Sequence, residues 1–140
     1  MTGAGSSVAM GQLVRGWRQH VERFERELPK TLEDHTVWVT HDWVAALYIR
    51  DALFRAESEL LTKEERDHAE KVIAEIDDIF REISEPDVRG LLSRFLMDMH
   101  PRGTREWWWG MIPKRGPVRE ELNGIIDVHE EAASDGKEIR

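Results

Sequence analysis

Apolar residues at Met10, Leu13, Val14, Trp17, Val21, Phe24 and Leu28 recur at spacings of three and four, the signature of one helical face. Pro29 follows the last of them, where a helix must stop. Gly16 weakens this helix locally but leaves room for a neighbour to approach closely. From Thr31 to Thr40 the β-branched run Thr36, Val37, Val39 and Thr40 competes with a helical spacing of Leu32, His35, Val39 and Trp43, and a break is expected. A second helix starting near His41, with Thr40 as its N-cap, runs to about Leu61. It has two apolar faces, one of Trp43, Leu47, Phe54 and Leu61 and the other of Ala46, Ile49, Leu53, Ala56 and Leu60, which places it centrally.

Thr62 and Glu65 form a capping-box pattern, so a third helix begins after a tight connection and packs antiparallel to the second. Its stripe, Ala69, Val72, Ile73, Ile76, Ile79, Phe80 and Ile83, is the cleanest in the chain. Ser84 and Asp87 repeat the capping signal ahead of Val88, Leu91, Leu92, Phe95 and Met99, a fourth helix closed by Pro101. An irregular stretch from His100 follows until Gly116 and Pro117 open a last helix carrying Val118, Leu122, Ile125, Ile126 and His129. The expected fold is all-α: a single-domain bundle of about five helices with one long Trp/Arg-rich connection. Residues 8–133 form the bundle, with a flexible N-terminus at 1–7 and a disordered C-terminal tail at 134–140.

A chain of 140 residues suits one hydrophobic core. It has no cysteine, which excludes disulfides, thiolate metal sites and cysteine nucleophiles. The net charge of −8 opposes broad binding to nucleic acid or anionic membranes, no stretch has the length of a membrane span, and a cytoplasmic location is expected. That charge is segregated. Residues 101–119 contain five Arg or Lys and one Glu, a local +4, so the remainder carries −12.

The basic stretch surrounds Trp107, Trp108 and Trp109. Successive side chains diverge by about 100° in a helix and about 180° in a strand, so three consecutive indoles cannot all enter one core. Two of them capping the bundle, with Arg105 or Arg115 stacked on the third, would make the segment structural. Left partly exposed, Trp107, Trp108 and Trp109 with Arg102, Arg105 and Met111 would instead anchor a protein partner or a second copy of the chain, because Trp and Arg dominate interface hot spots. A weaker signal is an anion site at Lys114, Arg115 and Arg119, beside the helix N-terminus that Pro117 opens.

The remaining chemistry is sparse. Glu65 and His68 make one Glu-x-x-His pair where a dinuclear helical site needs two, so neither metal nor cofactor is expected. Glu75, Asp78 and Glu82 read as a solvated face beside Lys71. His41 with Asp42 and Asp127 with His129 put acids near imidazoles, but neighbours on a helix point apart. The hairpin from Asp42 to Ile83 is too acidic for a DNA-reading helix pair. The expected function is a non-enzymatic interaction module, with a regulatory or an immunity- or antitoxin-like role against a basic partner fitting the charge. The alternative is a small-ligand or metal-dependent enzyme with a pocket between the bundle and the Arg-rich loop, using His41, His129 or the helix carboxylates.

Overall fold

The computed structural model describes residues 2–60, 62–96 and 106–125, with side chains from Ala9 onward. It is mostly helical, an all-α single-domain fold. Helix α1 spans Thr2–Glu27, α2 Thr40–Glu57, α3 Lys63–Ile83 and α4 Leu91–Leu96. A further helix, α5, covers 117–125. Two three-residue strands, β1 (Ser84–Pro86) and β2 (Met111–Pro113), pair antiparallel with Glu85 opposite Ile112. No helix among the described residues is long and apolar enough to cross a membrane.

The first three helices form the body, and the predicted stripes supply its core. Trp17, Val21 and Phe24 of α1, Trp43, Leu47 and Leu53 of α2, and Ile73, Ile76 and Phe80 of α3 are all buried. Their aromatic rings meet at the centre: Trp43 stacks on Phe80 at 5.1 Å, and Trp17 and Phe24 approach those two rings at 5.1 and 5.0 Å. Burying each such side chain contributes about 1.5–3 kcal/mol, so this cluster is the main source of cohesion. Gly16 faces Ile49 of α2, but a Cβ there would meet that side chain at 3.7 Å, an ordinary contact, so the packing of α1 on α2 does not require glycine. Gly116 holds φ +98, and a Cβ there would meet the Leu28 backbone at 3.2 Å, so the entry to α5 requires glycine on two counts.

Several boundaries differ from expectation. α1 begins at Thr2, ahead of its first apolar stripe residue, Met10; extending a formed helix costs far less than nucleating one. Thr40 is the first residue of α2 rather than its cap. Val39 occupies the cap position and donates its N–H to the Asp42 carboxylate at 2.9 Å, while the Thr40 N–H is satisfied by Glu121 of α5 at 3.0 Å. α2 also ends earlier than Leu61, and residues 31–39 form neither helix nor strand, the break expected there. The Thr62 cap is present, its hydroxyl accepting from the Glu65 N–H at 3.1 Å.

Ser84 does not cap α4. Its hydroxyl donates to the Phe80 carbonyl, and the chain runs on into β1. Asp87 takes that role, accepting from Leu91 and Leu92 N–H at 2.8 and 2.9 Å, with Gly90 at φ +66 completing the turn. Val88 is consequently 90% exposed instead of facing the core. Met99, Ile126, His129 and the tail at 134–140 lie outside the described residues.

Three buried charged residues of α2 and α3 sit inside this apolar body. Asp77 of α3 is 5% exposed and Arg50 of α2 is 6% exposed, and they form a bidentate pair with both hydrogen bonds at 3.0 Å. The Trp17 indole N–H adds a third bond to Asp77, also at 3.0 Å. The third charged residue, Asp51 of α2, belongs to the site described next. Removing one member of a buried pair strands the other, whereas removing both does not. Asp77→Ala should therefore lose about 3–5 kcal/mol in urea unfolding. Arg50→Met combined with Asp77→Leu should lose markedly less, and equal losses would show that the pair is not what makes Asp77 matter.

Candidate functional site

The tryptophan segment is a short 3-10 turn, Trp107–Gly110, leading directly into β2. With three residues per turn, successive side chains leave its axis about 120° apart, so the three indoles fan outward. Trp108 and Trp109 turn to α2, where both rings donate to the buried Asp51 carboxylate, Trp108 at 2.7 Å and Trp109 at 2.9 and 3.1 Å. Trp107 turns towards α3 and stays half-buried, its ring 5.9 Å from Phe80. The strand pairing, a bond from the Asp87 N–H to the Gly110 carbonyl at 2.8 Å, and one from the Trp43 indole to the Met111 carbonyl at 3.2 Å hold the segment in place.

Guanidinium groups cover two of these rings. Arg50, while bound to Asp77, lies 4.2 Å over Trp108, and Arg81 of α3 lies 4.1 Å over Trp107. The Trp17–Asp77–Arg50–Trp108–Asp51–Trp109 contacts form one continuous polar and aromatic chain from α1 to the tryptophan segment.

Between α2, α3 and Trp107 opens a cleft of about 310 Å³. Its apolar walls include Phe54, Ile73, Trp107 and Trp108, and its charged groups are Arg50, Arg81, Glu57, Glu70, Asp77 and Glu106. Phe54, Glu57 and Glu70 also border a second, outer cavity of about 640 Å³ towards Lys63 and Arg66. Asp77 is consumed by Arg50, but among the described residues no ion pair engages Glu57, Glu70 or Glu106. Partial burial pushes the Glu57 carboxyl above its ordinary range; Arg50 opposes that rise, and Glu70 and Asp77 add to it. Arg50 retains one buried nitrogen, Nη1, without a hydrogen-bond partner.

Of the sequence-derived candidates, Trp108 and Trp109 are buried and serve as the segment's footing, while Trp107 lines the cleft. The guanidiniums stacked on the indoles come from Arg50 and Arg81; Arg115 is exposed, and Arg102 and Arg105 lie outside the described residues. Met111 is half-buried in β2. Lys114 and Arg115 are exposed near the start of α5, and Arg119 is bound to Glu85 and to the Pro113 carbonyl, tying α5 to the strand pair. His41 is exposed, its ring 5.0 Å from Phe95, and Glu75 and Glu82 face solvent, as does Asp78, which contacts Arg81 at 3.6 Å. No group of three or more His, Asp or Glu able to hold a metal exists among the described residues.

Arg50, Asp51 and Asp77 were not singled out from the sequence, although a signal for them existed. A buried indole N–H needs an acceptor, and a chain with six tryptophans needs acidic or carbonyl partners inside its core.

Asp51→Ala removes the carboxylate that accepts from both buried indoles and should destabilise the fold by about 2–5 kcal/mol in urea unfolding. Iodide quenching of tryptophan emission should rise in the same variant; an unchanged midpoint and quenching would show that the segment does not depend on Asp51. Glu57 provides a pH test. Because its folded-state pKa lies above the ordinary 4.5, the folded chain holds that proton to higher pH than the unfolded chain. Stability is therefore lost as pH rises from about 4.5 through the folded-state pKa. Glu57→Gln should raise Tm at pH 7 by roughly 1–2 °C, the effect being limited by solvent screening, and the gain should vanish near pH 4.

Comparison of the chain with protein-family models, with curated proteins and with solved structures finds no match, so its function is argued from this geometry alone.

Proposed function

We propose that this chain is an acidic protein-interaction module of the cytoplasm, non-enzymatic, that receives its partner at the cleft formed by α2, α3 and Trp107. The observation that carries this reading is the immobilisation of the tryptophan segment. Asp51 fixes Trp108 and Trp109, and Trp107, packed on Trp108, lines the cleft together with Phe54, which is 50% exposed. A preorganised aromatic anchor loses little entropy when it is covered, which is what interface hot spots require. Tyr48, 40% exposed and 5.1 Å from Trp109, extends the same aromatic surface along α2. The partner is another protein or a second copy of the chain, and a regulatory or immunity-like role is consistent with either.

One observation favours a second reading, a small-ligand enzyme using the same cleft. Arg50, with its unpartnered Nη1, and the perturbed Glu57 both border it, and convergent polar groups in a concave site are what such a reading requires. Of the histidines suggested for it by the sequence, His41 does not line the cleft and His129 lies outside the described residues.

A photoreactive benzophenone side chain in place of Phe54, irradiated in the native cells, should give one discrete covalent adduct with a protein. The same group at the exposed Glu25 of α1 should not give that adduct, and Trp107→Ala should weaken it. An adduct of twice the chain's mass would identify the partner as a second copy. Absence of any Phe54-specific protein adduct would overturn the interaction reading.

A further inference from the structure

The cleft's electrostatics restrict what it can receive. Its lining carries four carboxylates and two guanidiniums. Arg50 and Asp77 neutralise each other in their buried pair, which leaves Glu57, Glu70 and Glu106 against Arg81 alone, a balance of −2. Helix polarity works in the same direction. Glu57 is the last residue of the 18-residue α2, where the helix presents its negative end, so the backbone adds to the field of the side chains. Partial burial raises the Glu57 carboxyl above its ordinary range, and Glu70 and Asp77 add to that rise against the opposing pull of Arg50.

The apolar component suits a long side chain. Phe54 is half exposed beside these carboxylates, and both cavities share Phe54, Glu57 and Glu70 at their junction. An aliphatic stem can lie on the Phe54 ring while its charged head reaches the acids, the way long basic side chains cover apolar surface. A planar guanidinium fits two carboxylates facing one space better than a point charge does, because its donors form a fork. The outer cavity is balanced, with Arg55, Lys63 and Arg66 against Glu57, Asp67 and Glu70, so the acidic preference belongs to the inner end, near Trp107.

Resting on the interaction reading above, we propose that the cleft seats an arginine side chain from a basic segment of the protein partner, its guanidinium between Glu57 and Glu70 and its stem on Phe54. Complementarity to the chain's net charge of −8 gives the same partner a favourable long-range approach.

The test is a titration of the full chain with the peptide acetyl-Gly-Arg-Gly-Arg-Gly-amide, followed by amide and indole NMR. The Trp107 indole and the Glu57 and Glu70 amides should shift saturably. A peptide with citrulline, the neutral isostere, in place of arginine should bind about tenfold more weakly, and so should the arginine peptide with the Glu57→Gln, Glu70→Gln double variant. The Tm of that variant, unchanged or raised, shows that weaker binding is not unfolding. Equal binding of the citrulline peptide, or of one with glutamate, would overturn the cation assignment while leaving the cleft a recognition surface. Undiminished binding by the double variant would overturn the placement at Glu57 and Glu70. Agmatine binding as tightly as the peptide would make the site one for a free small molecule and overturn the protein segment. If no peptide binds the inference fails, and the Phe54 crosslinks then decide separately whether the interaction reading survives.

Discussion

The bidentate bond between Arg50 and Asp77 is the constraint on which the remaining geometry depends. It joins α2 to α3 through two buried side chains, and Trp17 ties α1 to the same carboxylate. Apolar packing alone tolerates sliding between helices, but a buried fork with a third donor fixes both rotation and register. Because Arg50 is held there, its flat face supports Trp108; because the next residue along α2 points about 100° away, Asp51 is free to take the indole N–H groups. Two consecutive residues of one helix thus connect the three-helix body to the only extended segment described among residues 106–113.

Such an arrangement is costly if left incomplete. Ionised groups at this depth are tolerated only with nearly all their hydrogen bonds made, and here Asp77 accepts three while Arg50 keeps Nη1 unsatisfied. The return is specificity of shape: the cleft's inner wall, Trp107, is positioned both by Arg81 stacked on its ring and by the neighbouring Trp108, which Asp51 holds.

The helices were legible because their stripes repeat over many residues. Ile73, Ile76, Phe80 and Ile83 each fall where a 3.6-residue period places them, and each is buried. Asp77 belongs to that same face, four residues after Ile73 and three before Phe80, but a polar residue on an apolar face contributes nothing to a periodicity argument and passes as a defect. Arg50 and Asp51 were hidden in the same way within α2, whose broad apolar surface made its polar positions look external. The strand pair was hidden by length. Three residues on each side, Ser84–Pro86 and Met111–Pro113, each ending in proline, are too few to show alternation, and the pairing depends on contacts 29 residues apart in the chain at Ser84 with Pro113 and 25 apart at Pro86 with Met111. The tryptophan run was legible as three divergent rings, not as which two would go inside, since that choice is made by Asp51, more than fifty positions earlier.

That separation orders events during synthesis. Trp17, Arg50 and Asp77 are all present once α3 has emerged, so the three-helix body closes first, while Trp108 and Trp109 follow on the order of seconds later at ordinary elongation rates. Until those indoles arrive Asp51 lacks their N–H donors, and burying an unpartnered carboxylate is costly, which opposes sealing that face of α2 against other apolar surface. The late arrival of two indoles then supplies those donors. A single carboxylate therefore acts first as a guard for the unfinished chain and afterwards as the mooring of its last wall.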